Sequence, residues 1–467
     1  MPRPTTAKPR RPGPERTRSV GGGKPAQVRR PPGLDARQLA VACLVAVLDR
    51  GHTLEDGFES AAGAFASSPL EARDRAFARL LTMTVLRRKG ELDAVLGSFL
   101  DKPLPEQRGA LSHILRVAAA QLLVLATPAH AAISLAVDQT RADRYARRFD
   151  RLTNAVLRRV ATDGAARLAG LQGATLNIPA WRYAGWEKAF GAETARRIAE
   201  ASLAEAPLDL SVKSEPEAWA ERLGGKVLAT GSVRLEASGR IEDLPGFGDG
   251  AWWVQDAAAA LPARLFRDVR GKDIADLCAA PGGKTAQLAA AGGRVTAVDL
   301  SPERLKRLAE NLARLQLEAE LVASDVLAWE PGRAFDAVLL DVPCTSTGTI
   351  RRHPDILYLK RGEDTAAAAA LQSRLLDAAA KLVKPGGLLV YCTCSLEPEE
   401  GERQIERFLD QRPDYRRQPI SAAEIGADSA WINPHGDLRT LPFHCAMDRP
   451  GMSGMDGFFA ARLVRRA

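Results

Sequence analysis

The chain has 467 residues, of which 46% are hydrophobic and 26% charged, and its net charge is +8. At roughly 100–200 residues per domain, this length predicts two to four domains with sizeable cores. The sequence lacks a run of about 18 apolar residues and the apolar segment of a signal peptide, which argues against a membrane span and against secretion. Six cysteines are few for this length, as is typical of free thiols in a reducing compartment, and we expect a cytoplasmic protein.

Residues 1–34 form a basic segment rich in proline, glycine and arginine, without apolar periodicity. They hold nine lysines and arginines and one acid, Glu15, so this segment alone accounts for the net charge. The composition predicts a disordered tail, which either adds sequence-independent affinity for phosphates or only solubilises the protein. Bulk charge therefore gives no sign that the folded part binds nucleic acid.

Residues 35–165 have helical periodicity throughout and predict an all-α domain. Its clearest helical segments are 39–48, 71–86, 113–125, 131–140 and 151–160. Its basic clusters are Arg73/Arg75/Arg79, Arg87-Arg88-Lys89, Arg147-Arg148 with Arg151, and Arg158-Arg159. One cluster is more often a solvated helix face, but several in one helical domain favour contact with RNA.

Residues 166–255 have a different texture, which predicts a small α+β connector domain. A helical part over 181–204 precedes three short β-like segments at 208–212, 227–228 and 232–235. Such a domain either helps to hold a substrate or is a structural linker.

Residues 256–467 read as repeated β-α-β units, which predict a doubly wound, Rossmann-like α/β domain with a mostly parallel sheet. The strand candidates are 274–277, 295–298, 320–323, 337–340, 388–391 and 458–464. The first unit contains a small-residue turn, Cys278-Ala279-Ala280-Pro281-Gly282-Gly283-Lys284, followed by a helix at 285–291. This turn matches neither the P-loop nor the dinucleotide fingerprint, so taken alone it is weak evidence for a ligand site.

Acids recur where the predicted strands end. Asp299, Asp325 and Asp341 each follow a strand, and Asp299 lies a little under 20 residues beyond the glycine turn, where such folds place an acid on a ribose hydroxyl. Three acids on one rim favour a cofactor that resembles a nucleoside.

Two cysteines follow strands on the same rim, Cys344 after 337–340 and Cys394 after 388–391. A thiolate at this position could add to an electrophilic ring carbon, which for cytosine is C6. Addition makes C5 nucleophilic enough to take a methyl group from a sulfonium donor, after which a base removes the C5 proton and the thiolate leaves. An acid near N3 is needed, and Asp341 is placed for that role.

Longer motifs around these residues resemble the RNA 5-methylcytosine methyltransferase family. They are residues 278–284, Asp341-x-Pro-Cys-Thr-x-Thr-Gly with Arg351-Arg352-x-Pro-Asp355, Thr393-Cys394-Ser395-x-x-Pro-Glu-Glu400, and Gly454-x-Asp456-Gly-Phe-Phe459. The helical region resembles the NusB-like RNA-binding domain, through Arg116, residues 121–123, residues 128–132 and residues 154–158. Joined in one chain, the two are similar to family members that act on 16S rRNA.

The resemblance implies a role for each matching position. Cys394 would be the nucleophile, and Cys344 would assist proton removal or enzyme release. Residues 278–284, Asp299, Asp325 and Asp341 would contact S-adenosyl-L-methionine, while Arg351 and Arg352 would contact RNA or the active site. The expected partner is 16S rRNA or a small-subunit precursor, with no metal and no membrane, and we expect a monomer.

Two alternatives stay open. Cys344 could be the nucleophile, because DNA cytosine methyltransferases use a Pro-Cys thiol, although the Thr-Cys-Ser at 393–395 argues against this. The chain could also be a non-catalytic RNA-binding assembly factor that has kept the fold. Val342, Gly401 and the segment 210–213 depart from the family pattern, and the last two bear on how the target is positioned.

Overall fold

The structure is a computed structural model that describes residues 31–65, 70–171, 173–236 and 239–467. Residues 1–30, most of the predicted basic tail, lie outside the described part of the chain. The N-terminal part is all-helical, as predicted. Its main helices are α1 (Leu34–Arg50), α2 (Leu54–Gly63), α3 (Ala72–Gly97), α4 (Leu111–Leu123), α5 (Ala129–Ala142) and α6 (Asp150–Ala169).

Local sequence explains where these helices begin and end. Gly51 ends α1 in the left-handed conformation (φ 74°), which glycine adopts without a steric cost. Thr53 caps α2 by accepting a hydrogen bond from the Asp56 N–H. Helix α3 bends at Arg88, whose φ of −118° and ψ of 20° are not helical. Leu39, Leu81 and other apolar residues from all six helices form one core.

Three further helices and a small sheet follow. The helices are α7 (Gly173–Leu176), α8 (Ala180–Phe190) and α9 (Ala192–Ser202). The sheet comprises β1 (Leu208–Val212), β2 (Lys226–Val227), β3 (Val233–Leu235) and β4 (Trp252–Val254), with α10 (Pro216–Leu223) between β1 and β2. It is antiparallel with strand order β2-β3-β1-β4. Its buried centre is a two-bond ion pair between Arg234 and Asp209, both 0% exposed.

The C-terminal part contains an eight-stranded sheet within the described residues. Its elements are α11 (Leu261–Arg264), β5 (Asp273–Leu277), α12 (Gly283–Ala290), β6 (Arg294–Asp299), α13 (Pro302–Leu315), β7 (Glu320–Ala323), β8 (Phe335–Asp341), α14 (Ile356–Leu359), α15 (Gly362–Lys381), β9 (Val383–Thr393), α16 (Glu402–Gln411), β10 (Tyr415–Arg417), β11 (Leu438–Thr440) and β12 (Phe458–Arg465). The strand order is β10-β12-β9-β8-β5-β6-β7, and β11 pairs with β12.

The strand directions place the candidate site. Strands β5 to β9 run parallel, whereas β10, β11 and β12 pair antiparallel. The chain reverses its winding direction between β5 and β8, and at such a switch point a doubly wound sheet opens a crevice at the carboxyl ends of its strands. The predicted α/β fold is therefore confirmed, with an antiparallel edge added to the parallel sheet.

The N-terminal helices dock on the segment that follows β8. The Arg87 Nη2 donates to the Arg351 carbonyl at 2.9 Å, and the Leu54 N–H donates to the Asp355 Oδ2 at 2.9 Å. The Tyr358 hydroxyl donates to the Leu86 carbonyl at 2.8 Å. This contact joins the helical region to the loop that carries one of the two cysteines.

In the described part of the chain, no helix combines the length and the apolar character that a membrane crossing requires. The same residues contain no cluster of three or more potential metal ligands.

Candidate active site

Cys344 and Cys394 lie side by side although 50 residues separate them in sequence. Cys344 lies three residues after β8 and Cys394 directly follows β9, and these two strands are neighbours with Asp341 opposite Cys392. The two Sγ atoms are 3.4 Å apart. Both side chains are partly exposed, so a ligand can reach them.

The two thiols share a hydrogen bond that separates their acidities. Either sulfur can donate in this bond, which lowers the pKa of Cys344. The same bond, together with burial, raises the pKa of Cys394 well above its ordinary value. The two neighbouring thiols therefore differ in acidity and can exchange a proton through one hydrogen bond.

Glu400 holds the two thiol-bearing loops together. Its carboxylate, which is 0% exposed, accepts hydrogen bonds from the Thr345 N–H at 3.0 Å and from the Ser395 hydroxyl at 2.7 Å. The Thr345 hydroxyl and the Gln372 amide donate to the same carboxylate. Because Thr345 follows Cys344 and Ser395 follows Cys394, this one side chain connects both loops.

Asp341 and Lys284 form an ion pair beside the thiols. The Lys284 Nζ donates to the Asp341 Oδ2 at 2.7 Å and lies 5.0 Å from the centre of the Phe458 ring. Burial opposes the charge on Lys284, but the neighbouring Asp341 carboxylate raises its pKa. The other oxygen of Asp341 accepts a long hydrogen bond from the Cys392 thiol at 3.5 Å. Lys284 is thus a fixed cation between the glycine turn and the cysteine pair.

The glycine turn joins β5 to α12 as predicted. Gly282 has a φ of 102°, which disfavours other residues, and a Cβ at this position would lie 2.7 Å from Leu308 Cγ. The Asp299 carboxylate, 2% exposed, accepts the Ala280 N–H at 3.1 Å and the Ser301 N–H at 3.0 Å. Asp299 therefore fixes the shape of the turn. Asp325 lies on the same rim, is exposed, and accepts the Leu327 N–H at 2.9 Å.

Cys278, Ala279 and Ala280 begin the turn. Cys278 has a positive φ of 59°, and burial raises the pKa of its thiol to about 12, so it stays neutral at physiological pH. The next two alanines are buried. We still predict that residues 278–284 contact a cofactor.

A cavity of about 500 Å³ adjoins the turn and the ion pair. It is lined by Ala279, Pro281, Gly282, Gly283, Lys284 and Asp341 on one side, and by Trp253, Asp256, Arg352, His353 and Asp456 on the other. Of the described residues, Cys344, Cys394, Asp299 and Asp325 do not line this cavity. The cavity thus reaches the Lys284–Asp341 pair, and the two thiols stand beside it.

Arg352 is held at the cavity wall by two carboxylates. It donates to Asp256 at 2.6 Å and to both oxygens of Asp456 at 3.2 Å. Burial and the nearby charge of Asp256 raise the pKa of Asp456 to about 7. This position fits the active-site role that the resemblance predicts for Arg352, and the role stays a prediction.

The predicted RNA contact does not fit Arg351. Its side chain is 1% exposed, and its guanidinium donates to the Ser453, Glu205 and Met455 carbonyls at 2.9, 3.3 and 3.4 Å. Burial leaves no surface with which this guanidinium could contact RNA. Arg351 instead joins the segment after β8 to the loop before β12.

Sequence reasoning missed the roles of Glu400 and Asp256. Glu400 stands in the quoted Thr-Cys-Ser motif, but the spacing does not reveal that its carboxylate also reaches the loop of Cys344. Asp256 belongs to no motif and is identified only by its ion pair with Arg352.

Comparison with known proteins shows which protein families this chain resembles. Residues 265–464 match the family described as 16S rRNA methyltransferase RsmB/F, and residues 34–162 match the NusB family. The ribosomal RNA small subunit methyltransferase B of Vibrio cholerae is 35% identical over 454 residues, which cover 93% of this chain and 98% of that protein. The protein of the same name from Xylella fastidiosa (strain Temecula1) is 36% identical, over 93% of this chain and 98% of its own length.

A solved structure shares the fold. The crystal structure of PH0851 superposes with a TM-score of 0.69 at 22% identity and covers 93% of this chain and 99% of its own. Both resemblances predicted from the motifs, to a NusB-like domain and to an RNA methyltransferase, are therefore confirmed.

Proposed function

This chain belongs to the 16S rRNA methyltransferase RsmB/F family, and from that premise we propose that it methylates C5 of a cytosine in 16S rRNA. The methyl donor is S-adenosyl-L-methionine, and the reaction passes through a covalent bond between Cys394 Sγ and C6 of the cytosine. Cys344 is the base that removes the C5 proton.

The 3.4 Å separation of the two Sγ atoms carries this proposal. A pyrimidine placed against the pair presents C6 to one thiol and its neighbour C5 to the other. Through the hydrogen bond between the two sulfurs, one cysteine can pass its proton to the other, and the Thr-Cys-Ser motif at 393–395 favours Cys394 as the nucleophile. A nucleophile beside its own base is the arrangement that covalent catalysis uses.

The first stage forms the Cys394–C6 bond and breaks the C5=C6 double bond. The Cys394 proton passes to Cys344 and then to N3 of the base, which leaves a neutral adduct with a nucleophilic C5. The Asp341 carboxylate can accept a hydrogen bond from N3–H, because Lys284 already fixes it at the cavity. Asp341 thereby stabilises the adduct.

The second stage restores the aromatic ring. S-adenosyl-L-methionine supplies an electrophilic methyl group, which bonds to C5. The Cys344 thiolate removes the C5 proton, the Cys394–C6 bond breaks and C5=C6 forms again. The N3 proton returns to Cys394, and Cys344 releases its proton to solvent.

The residues around the cavity fit the methyl donor. Gly282 and Gly283 keep the turn free of side chains at the cavity wall, while Trp253 and Phe247 offer apolar surface. The Asp299 carboxylate accepts two backbone hydrogen bonds and pairs with Arg304 at 3.3 Å, and its remaining lone pair is what contact with a ribose hydroxyl requires. We propose residues 278–284, Asp299, Asp325 and Asp341 as the residues that hold it.

The thiols stand in a crevice, so the cytosine must leave its stack to reach them. Extrusion costs a few kcal/mol unless the base is already unpaired. We therefore propose single-stranded or loop RNA in 16S rRNA or a small-subunit precursor as the substrate, and a monomeric cytoplasmic enzyme.

Trapping with RNA that contains 5-fluorocytosine tests the two cysteine roles. The wild-type chain should form a covalent adduct that survives a denaturing gel, because fluorine at C5 cannot leave as a proton. Cys394→Ala should abolish the adduct. Cys344→Ala should retain it and should also accumulate an adduct on unmodified RNA, since it lacks the base.

Cys445→Ala is the control, because Cys445 lies near Arg234, outside the cysteine pair. The reverse pattern, with the adduct lost in Cys344→Ala and kept in Cys394→Ala, would make Cys344 the nucleophile. Tight RNA binding without transfer of a labelled methyl group would instead indicate an assembly factor.

A further inference from the structure

A second cavity of about 630 Å³ lies between the small sheet and the methyltransferase sheet. Its wall includes Ser211, Lys213 and Thr230 from the small sheet and its loops, and Arg264, Arg267 and Gln287 from α11, the loop after it and α12. Trp253 lines both this cavity and the one beside the glycine turn, so the two are neighbours. The segment 210–213, whose sequence departs from the family pattern, thus contributes to this cavity. The proposed chemistry does not use the cavity.

Arg264 is a cation without a counter-charge. Its side chain is half-buried, and within the described residues neither an ion pair nor a hydrogen bond to its guanidinium is found. Burial lowers its pKa, and unlike most buried arginines of this chain it has no carboxylate that opposes the effect. An unpaired charge withdrawn from water is costly, so a structural arginine here would normally have a partner.

The surroundings of Arg264 are shaped for a ligand that accepts hydrogen bonds. Gly231, with a φ of +82°, lies against the guanidinium, and a Cβ there would be 3.3 Å from Arg264 Nη1. Thr230 is 3% exposed, and its buried hydroxyl has no partner among the described residues. Buried hydroxyls are normally satisfied, so this one also lacks a partner that the fold would be expected to supply.

Two acids line the cavity, and one of them, Glu424, is neutralised by ion pairs. Glu424 accepts from Arg267 Nε at 2.7 Å and from Arg462 Nη2 at 2.9 Å. Asp268 accepts the Arg270 N–H at 3.1 Å. Lys213 donates to the Leu315 carbonyl at 2.9 Å, which leaves its charge uncompensated. Asp268 keeps its charge as well, but three cations, Lys213, Arg264 and Arg267, outnumber the two acids of the lining, so the net charge at the cavity is positive.

We infer that this cavity binds a phosphodiester of the substrate RNA, with Arg264 as its main contact and Lys213 and Thr230 beside it. The inference rests on the proposed function only in naming RNA as the source of the phosphate. Arginine donates in a planar fork that matches phosphate oxygens, which suits this role better than a single ammonium would.

Position favours an RNA phosphate over a free nucleotide. The cavity is open to solvent, and it shares the Trp253 wall with the cavity beside the glycine turn, which we propose for the methyl donor. An RNA strand that places its cytosine at the thiols can extend over this neighbouring cavity, and a phosphate contact there positions the strand without reading its sequence.

Arg264→Met tests the site in two independent measurements. Methionine fills similar space without charge, so the melting temperature of the RNA-free protein should rise. Binding of a 16S rRNA fragment, measured without S-adenosyl-L-methionine over a range of potassium chloride concentrations, should weaken. The slope of log affinity against log salt should become shallower by about 0.7, the value for one phosphate of a single strand.

Two further variants calibrate the result. Arg264→Lys keeps the charge and should retain the salt slope. Arg240→Met is the matched control, because Arg240 is 71% exposed, lies 3.7 Å from Glu242, and belongs to the same small domain. It should leave both the melting temperature and the slope unchanged.

The inference fails if Arg264→Met lowers the melting temperature and leaves the slope unchanged, since Arg264 would then be structural. It also fails if inorganic phosphate stabilises the wild type but not Arg264→Met while RNA affinity is equal in both, because the site would then serve a free anion. Neither readout uses methyl transfer, so loss of the proposed activity would not be mistaken for failure of this site.

Discussion

Glu400 is a buried carboxylate that forms no salt bridge with any described residue. Its charge is compensated by donors from three segments, which are Thr345, Ser395 and Gln372. Hydrogen bonds to a charged group each contribute about 1.5–3 kcal/mol, and removing the acceptor leaves buried donors unsatisfied. We interpret Glu400 as a positioning residue, since it touches the neighbours of both cysteines.

Glu400→Gln should separate the two thiols. The amide keeps an acceptor for the Thr345 N–H and the Gln372 amide only by turning its –NH2 to the Thr345 and Ser395 hydroxyls. These hydroxyls must then accept where they now donate, and all four hydrogen bonds lose the charge of their acceptor. We expect a loss of about 2–4 kcal/mol in the free energy of unfolding and at least a tenfold slower adduct with 5-fluorocytosine RNA. Urea denaturation and gel quantification measure the two effects.

Glu399→Gln is the control, because Glu399 is partly exposed and pairs with Arg403 on the helix surface. Surface pairs of this kind contribute little, so both measurements should stay at the wild-type level. An unchanged adduct rate in destabilised Glu400→Gln would mean that Glu400 supports the fold without setting the geometry of the thiols.

At the scale of elements, the sequence predicted those whose signals are local. Ser301 and Pro302 begin α13 as expected, and Leu305, Leu308, Leu312 and Leu315 form its buried face. The short strands β10 and β11 were missed because three residues carry no readable alternation, and they exist by pairing with β12. Helix α2 lies within the region predicted to be helical throughout, but it was not distinguished as a separate helix, because two glycines and three acids within ten residues hide its apolar face.

The same scale explains how the thiol-bearing loops meet. The Gly348 N–H donates to the Cys394 carbonyl at 2.9 Å, and the Gly457 N–H donates to the Gly348 carbonyl at 2.9 Å. Gly348 therefore ties the loop after β8 to the end of β9 and to the start of β12. No local sequence pattern predicts these two hydrogen bonds, because the three segments that they join are far apart in sequence.

Gly348→Ala should break these two hydrogen bonds. A Cβ at Gly348 would lie 1.9 Å from the Gly457 carbonyl oxygen and 2.8 Å from that of Cys394, and both are backbone atoms that cannot turn away. We expect a loss of about 1–3 kcal/mol in stability, as for overpacking elsewhere, and loss of the covalent adduct. Gly97→Ala is the control, since nothing lies within 4 Å of a Cβ at the end of α3. If Gly348→Ala formed the adduct at the wild-type rate, the loop after β8 and the end of β9 could move apart without loss of the reaction.

At the scale of the whole molecule, sequence reasoning identified the parts but not how they dock. Arg351 and Asp355 stand in a motif beside Cys344, and the resemblance suggested an RNA or active-site contact for Arg351. In the fold, the Arg351 carbonyl accepts from Arg87, and Asp355 accepts from the N–H of Leu54. Residues that are roughly 260–300 positions apart show no sequence pattern from which their contact could be predicted. Motif reasoning therefore assigned an RNA contact to Arg351, which instead joins parts of the fold.

Asp355→Ala should uncouple the helical region from the methyltransferase sheet. Asp355 is 5% exposed, and its loss leaves the Leu54 N–H without an acceptor in the interface, at a cost of about 1–3 kcal/mol. If this interface makes the two parts unfold together, calorimetry of the variant should resolve two transitions where the wild type shows one. Asp101→Ala, at an exposed position of the helical region, should keep the wild-type profile. A single, unshifted transition in Asp355→Ala would show that the remaining contacts, including that of Tyr358 with Leu86, are enough to couple them.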